Sequence, residues 1–294
     1  MNFEQIFLIL CLISLSYTIY PIAVFHGIVD ACSMKNTSIL VNDLKNDLGV
    51  HVECIEVGNG YWDSMMKPMY DQVELACESI KENPNFQGKF NILGISQGTL
   101  IGRYIVEKCQ MEGQVVRYLS FDGPQMGIGY VPKINCGSFC DWLMNLTVPL
   151  AYNFQDTIAP MGYLKYRNDR SYYDEHDDVF LKMLNNDYEV KDQKIIDRFT
   201  ALEKVKLIKA KRDSVIVPRE CSWFEFSDDK GENIIPLKES DFYINDYIGL
   251  RKLDEEGKVQ FVEIDQEHVL YNMKEYRDEI VQFFLDLIEL VKIY

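Results

Sequence analysis

The sequence predicts an α/β fold: a central, mainly parallel sheet with helices on both faces and a largely helical insertion. Three observations carry this expectation. Short apolar runs alternate with segments of helical spacing from Tyr20 to Phe121. Strands separated by helices must cross over and run parallel instead of forming hairpins. That rhythm stops after Phe121 and resumes at Val205, so the stretch between reads as an insertion of about 133–201.

The elements follow in order. Tyr20–Phe25 is a short buried strand ending at His26-Gly27, and Ser38–Leu48 has helical spacing. His51–Val57 is a second strand, and Met69–Glu82 a helix closed by "ENPN". Phe90–Gly94 is a third strand, Leu100–Cys109 a helix, and Val115–Phe121 a fourth strand ending at "DGPQMG". The insertion mixes aromatic and polar residues without a clean strand. Val205–Ala210 is the next strand, Ser227–Glu239 a polar loop, and Val259–Ile264 the last strand, ending at "DQEH". Glu275–Ile293 is an amphipathic helix with Ile280, Phe284, Leu287 and Val291 as its inner stripe.

Composition bounds the function. With 294 residues, 47% of them hydrophobic, the chain can bury a sizeable core. A net charge of −16 repels nucleic acid and anionic membranes. There is no basic stripe and no zinc-type cysteine spacing, so neither a nucleic-acid partner nor a metal is expected, and nothing calls for a cofactor. Ile6–Leu15 is an apolar run of signal-peptide length, with Glu4 and no Lys or Arg before it. We read 1–18 as a signal peptide and 19–294 as one domain with no integral membrane segment. The expected location is the secretory pathway. Loss of Cys11 with the leader leaves seven cysteines, an odd number for an oxidising lumen. Asn36 and Asn145 head glycosylation sequons.

The stretch "NILGISQGTL" places Gly94-Ile-Ser96-Gln-Gly98 between a strand and a helix. This is the nucleophile-elbow arrangement, in which serine sits on a strained turn at the helix N-terminus. A serine hydroxyl needs a base. Of His26, His51, His176 and His268, only the last two follow Ser96, and only His268 follows a strand. In an α/β-hydrolase the order is Ser, acid, His, so His268 is the expected base. Asp213, after "VKLIKAK", is the preferred acid, and Asp122, at the end of the fourth strand, is its competitor. The backbone N–H groups of Gln97 and of Ile28, in "HGIVD", are the expected oxyanion donors. His26 then supports its loop and is not the base.

At these residues the chain resembles the palmitoyl-protein thioesterases, and more closely their type 1 (lysosomal) branch. The resemblance runs from about Pro21 to Leu290. It rests on His26-Gly27 with Asp30, "GISQG", "RDSVIVP" with "SWFEF", "IPLKESDFYINDYIGLRKLDEEGKVQF" and "EHVL". It implies an α/β-hydrolase that cleaves the thioester joining palmitate to cysteine in S-acylated proteins or peptides. Ser96 matches the nucleophile, Asp213 the acid, His268 the base, and Ile28 and Gln97 the oxyanion donors. It also implies a Cys77–Cys109 disulfide, which closes a loop of about 30 residues and contributes roughly 3–4 kcal/mol, and a second bridge between Cys136 and Cys140. The insertion is expected to shape an apolar acyl groove, with Trp142, Phe180, Leu181 and Met183 as candidates; ordinary core is the other reading of these four. Lysosomal location follows from the resemblance, with plain secretion as the alternative.

The chain departs from the family at Val29, where glycine is usual, and at Thr99, which replaces a common second glycine. Cys32 stands alone where the family has adjacent cysteines, and Cys54 and Cys221 have no family partner. Two other functions fit the same residues: a secreted lipase or esterase, and a catalytically inactive lipid- or partner-binding relative.

Overall fold

The computed structural model describes residues 19–129, 157–165, 171–269 and 274–285. The leader, Trp142, Cys136, Cys140, Asn145, Leu287 and Val291 lie outside the described residues.

Six strands form one sheet in the order β2-β1-β3-β4-β5-β8, with every neighbouring pair parallel. They are β1 (Ile22–Phe25), β2 (Val52–Cys54), β3 (Lys89–Ile95), β4 (Gln114–Phe121), β5 (Lys204–Ala210) and β8 (Val259–Ile264). The central strands read as unbroken apolar runs because both of their faces are covered. Edge strand β8 keeps partial exposure at Val259 to Val262, and its Glu263 is exposed.

The helices are α1 (Lys35–Leu48), α2 (Tyr61–Met66), α3 (Met69–Glu82), α4 (Gly98–Glu107), α5 (Ser171–Glu175), α6 (Phe180–Leu184), α7 (Gln193–Thr200), α8 (Asp241–Ile244), α9 (Leu250–Glu255) and α10 (Lys274–Leu285). Alternate strand side chains feed two cores. Ala23, Phe25 and Ile92 pack with Val73 and Ile80 of α3, Leu100 and Ile105 of α4, Phe199 of α7 and Leu253 of α9. Ile22, Val24, Leu93 and Ile95 pack on the other side with Leu40 and Leu44 of α1 and Tyr276, Ile280 and Phe284 of α10.

The predicted rhythm of strands and helices matches the observed order, and several details correct it. The expected polar loop at 227–239 contains a small hairpin, β6 (Phe226–Ser227) with β7 (Ile234–Ile235), followed by a 3-10 turn at Leu237–Glu239. Two-residue strands are too short for a period to show. The short helices α2, α8 and α9 were not predicted, for the same reason of length. The described parts of the insertion are helical: a 3-10 turn at Ala159–Tyr163, then α5 and α6. Residue Leu164 adds one isolated parallel bridge to Ile128. Helix α7 packs on α4 and joins the same core as α3, so it serves as the crossover layer before β5.

Behind the elbow, α4 carries a wholly buried ion pair. The Arg103 Nε donates to Glu107 Oε1 at 2.8 Å, and both side chains are sealed from solvent. The Arg103 Nη1 donates to the Gln125 side-chain oxygen at 3.2 Å and to Asn185 Oδ1 at 2.9 Å, and Nη2 donates to the Leu184 carbonyl at 2.9 Å. The guanidinium also stacks 5.0 Å from the Phe224 ring centre. This cluster fastens α4 to α6 of the insertion.

Candidate active site

The turn between β3 and α4 is tight because two glycines permit it. A Cβ at Gly98 would fall 2.2 Å from the Phe25 carbonyl oxygen, and one at Gly94 would fall 2.5 Å from Thr99 Cα. Ser96 between them has φ +50°, the left-handed region that costs a non-glycine residue energy. Its N–H donates to the Phe121 carbonyl of β4 at 2.8 Å, and its carbonyl accepts the Thr99 hydroxyl at 2.7 Å. Thr99, where the family has glycine, thus ties down the elbow. Ser96 is 5% exposed.

The loop after β8 brings His268 to this serine, 172 residues away in sequence, with Nε2 3.0 Å from Ser96 Oγ. Nδ1 of the same ring lies 2.6 Å from Asp213 Oδ2. Asp213 Oδ1 accepts the N–H groups of Val215 and Ile216 at 2.8 and 2.9 Å, so the carboxylate is held at both oxygens. A proton on Nδ1 donated to Asp213 leaves Nε2 free to accept from the serine. The three expected side chains therefore form one continuous hydrogen-bonded chain.

Gln97 follows the serine, and Gly27, the residue before Ile28, packs against it: a Cβ there would lie 3.2 Å from Ser96 Cβ. Among the described residues, neither the Ile28 nor the Gln97 N–H has a protein acceptor. Gln97 precedes the first turn of α4, where N–H groups are free by geometry. Val29 adopts φ +57°, a left-handed conformation that accounts for the glycine usual there. The Gln97 side chain is locked as well: its Nε2 donates to the Ser64 carbonyl at 2.7 Å and to Gln72 Oε1 at 3.0 Å, and its Oε1 accepts the Tyr163 hydroxyl at 2.9 Å.

His26 lies on the floor of the Ile28 loop. Its Nε2 is 2.7 Å from Glu56 Oε1 and its Nδ1 is 2.9 Å from the Gly27 carbonyl. Burial alone would lower its pKa, but the bonds to Glu56 and Gly27 outweigh it and raise the imidazole above its ordinary value. Glu56 is held below its ordinary value despite burial, by its bond to His26. Glu56 Oε2 also accepts the Cys32 N–H at 2.9 Å, and a Cys32–Cys54 disulfide ties this loop to the end of β2.

Sequence reasoning missed that bridge. The signal was present: β1 and β2 are neighbouring crossover strands, and the loop after β1 and the end of β2 carry two of the three cysteines left unassigned. Cys77 and Cys109 are bridged as the resemblance implies, and Cys221 is a buried free thiol. Of the acyl-groove candidates, Phe180 and Leu181 have no accessible surface and belong to the core, and Met183 keeps partial exposure. Asp122, the competitor for the acid, is fully buried and makes no direct bond to His268; it accepts the N–H groups of Ala210 and Val269.

A model of the family described as palmitoyl protein thioesterase matches residues 21–268. Palmitoyl-protein thioesterase 3 of Dictyostelium discoideum is 30% identical over 273 residues, 92% of this chain and 92% of its own length. Palmitoyl-protein thioesterase 1 of Caenorhabditis elegans is 26% identical over 279 residues, 89% of this chain and 93% of its own. An esterase of Pyrococcus furiosus shares the fold with a TM-score of 0.50 at 11% identity, covering 92% of this chain and 82% of that one.

Proposed function

The chain belongs to the palmitoyl protein thioesterase family, and on that premise we propose that it hydrolyses the thioester between palmitate and a cysteine of an S-acylated protein or peptide. The observation that carries the proposal is the hydrogen-bonded run from Ser96 through His268 to Asp213.

In this mechanism Ser96 Oγ attacks the thioester carbonyl while its proton passes to His268 Nε2. Asp213 holds the imidazole in the required tautomer and stabilises the imidazolium. The oxyanion is met by the N–H groups of Ile28 and Gln97, each worth about 3 kcal/mol in the transition state. The C–S bond breaks, and the departing cysteine sulfur takes the proton from His268. Water then gives a proton to His268 and attacks the acyl-serine carbonyl. The C–O bond to Ser96 breaks, Ser96 regains its proton, and the free fatty acid leaves.

The acyl tail is assigned to the side of the site facing the insertion, with partly exposed Met183 the described candidate for contact and Phe180 and Leu181 backing it from the core. Each buried methylene is worth about 0.8 kcal/mol, so turnover should depend on tail length. We place the protein in the secretory pathway, with the lysosome as its destination. The leader-like N-terminus and the two disulfides support an oxidising compartment.

The test is hydrolysis of an S-palmitoyl peptide by the mature chain, beside Ser96→Ala and an O-palmitoyl ester. Thioester turnover that vanishes in the variant is the expected result. Equal or faster cleavage of the oxygen ester would favour a general lipase, and turnover retained by Ser96→Ala would overturn the mechanism.

A further inference from the structure

We propose that Asp122 is a positioning residue for this hydrolysis, binding the strand ends that carry the nucleophile, the acid and the base into one rigid unit. The inference rests on the Ser96–His268–Asp213 reading above and adds a fourth residue to it.

Asp122 directly follows β4, the strand between that of Ser96 and that of Asp213. Its carboxylate is fully buried, and each oxygen receives one backbone N–H. Oδ1 takes the N–H of Ala210, the last residue of β5 and three residues before Asp213, at 2.7 Å. Oδ2 takes the N–H of Val269, the residue after His268, at 2.9 Å. On the other side, the carbonyl of the preceding residue, Phe121, accepts the N–H of Ser96 at 2.8 Å. Two adjacent residues of one strand end therefore hold all three reactive segments.

The backbone at this point is held under load. Asp122 has φ +49° and Val269 has φ +51°. For β-branched Val269 a left-handed conformation is a genuine outlier. The Asp122–Val269 bond holds the backbone of this strained residue while its side chain packs against the second core, and His268 is its neighbour. Strain of this kind persists only where the surroundings fix it.

The carboxylate also stands near the charge that develops. Carboxylate oxygens of Asp122 and Asp213 and a ring nitrogen of His268 lie within 4.8 Å of one another. The titratable groups facing Asp122 are Asp213 from the loop after β5, His268 from the loop after β8, and Tyr276 of α10. Burial pushes the Asp122 carboxyl up to about 7, against the pull of His268 and the two N–H groups.

The experiment compares Asp122→Asn and Asp122→Gly with the unmodified mature chain, each alone and combined with Asp213→Asn, and includes Ser96→Ala. Asparagine keeps the shape but turns one acceptor into a donor facing an N–H. Glycine removes the staple and relaxes the left-handed backbone, which guards against simple misfolding. We expect kcat to fall at least about 10-fold, within the range that misplacement of about 1 Å produces, with KM within about 2-fold and cooperative melting retained. In the Asp213→Asn background the same change should cost less, since residues acting as one unit are not additive. Unchanged kcat in both variants, a KM that rises in step with the loss of kcat, or fully additive losses would each overturn the positioning role. Turnover retained by Ser96→Ala would instead defeat the serine mechanism itself, whatever Asp122 does.

Discussion

Among the described residues, the buried polar clusters around Arg103 and around His268 are built to opposite ends. Around Arg103 each guanidinium nitrogen donates to a fixed protein acceptor, the ion pair with Glu107 is sealed, and its side chains are buried. Around His268 the fixed bonds fall on Asp213 and Asp122, while the imidazole stays 13% exposed and reaches a serine at 3.0 Å. The first cluster spends its polarity on joining elements. The second fixes two carboxylates and, on the proposed mechanism, leaves one proton free to move. Burial of charge does not by itself mark a reactive site; what distinguishes the two is a partner left free to change.

The comparison can be broken in order of expected effect. Asp213→Asn should lower kcat about 10⁴-fold by favouring the wrong imidazole tautomer, with melting almost unchanged; steady-state kinetics beside a thermal melt checks both. Arg103→Ala should do the reverse, costing about 3–5 kcal/mol of stability while folded molecules keep most of their turnover. Denaturant unfolding reads that loss, and the joint change Arg103→Met with Glu107→Leu should recover much of it, because the buried charge goes with its partner. If the joint variant is no better than the single, the cluster is not acting as a pair.

Gln97→Leu sharpens the contrast from within the site. The main-chain donor survives, but the bonds to Ser64, Gln72 and Tyr163 that fix it are lost. We expect roughly a 10-fold fall in kcat, a fraction of what an oxyanion donor is worth, read by steady-state kinetics on the S-palmitoyl peptide.

The smallest effect is on pH dependence of stability. Asp122 and Glu107 are each raised to about 7, chiefly by burial. Between the ordinary carboxyl value and about 7 the folded state then binds more protons than the unfolded, so stability falls as pH rises across that window. His26, also raised, stabilises the fold fully below its ordinary value and loses that contribution as pH rises through its folded one. Glu56, lowered, acts in the opposite sense, but only as pH falls through its own folded value. Melting should therefore be a few degrees higher near pH 5 than near pH 8, and a flat profile would contradict the three raised groups.

How far the site could be read from the sequence follows from the same distinction. Ser96 and His268 were legible because each ends a strand whose apolar run is plain, and the order of the segments leaves little choice. Asp213 and Asp122 could be ranked but not given their separate tasks, since both end central strands, and only the fold shows which oxygen meets the ring and which meets backbone. The anchors of Gln97 were not legible: Ser64 and Gln72 sit on helices with no local mark of their partner, and Tyr163 follows a stretch with no period. The Phe226–Ile235 hairpin and the 3-10 turns escaped because local patterns need several residues to show.

The strand order has a consequence for the life of the chain before it is complete. An oxyanion donor is expected at residue 28 and the base at residue 268, and the strand before the base, β8, closes the far edge of the sheet. A growing polypeptide therefore carries its serine for most of its synthesis without the partner that would arm it. On the proposed mechanism, hydrolytic competence arrives only when the last strand docks, so the appearance of activity would time the end of assembly, and a chain cut short before residue 268 would cleave no thioester.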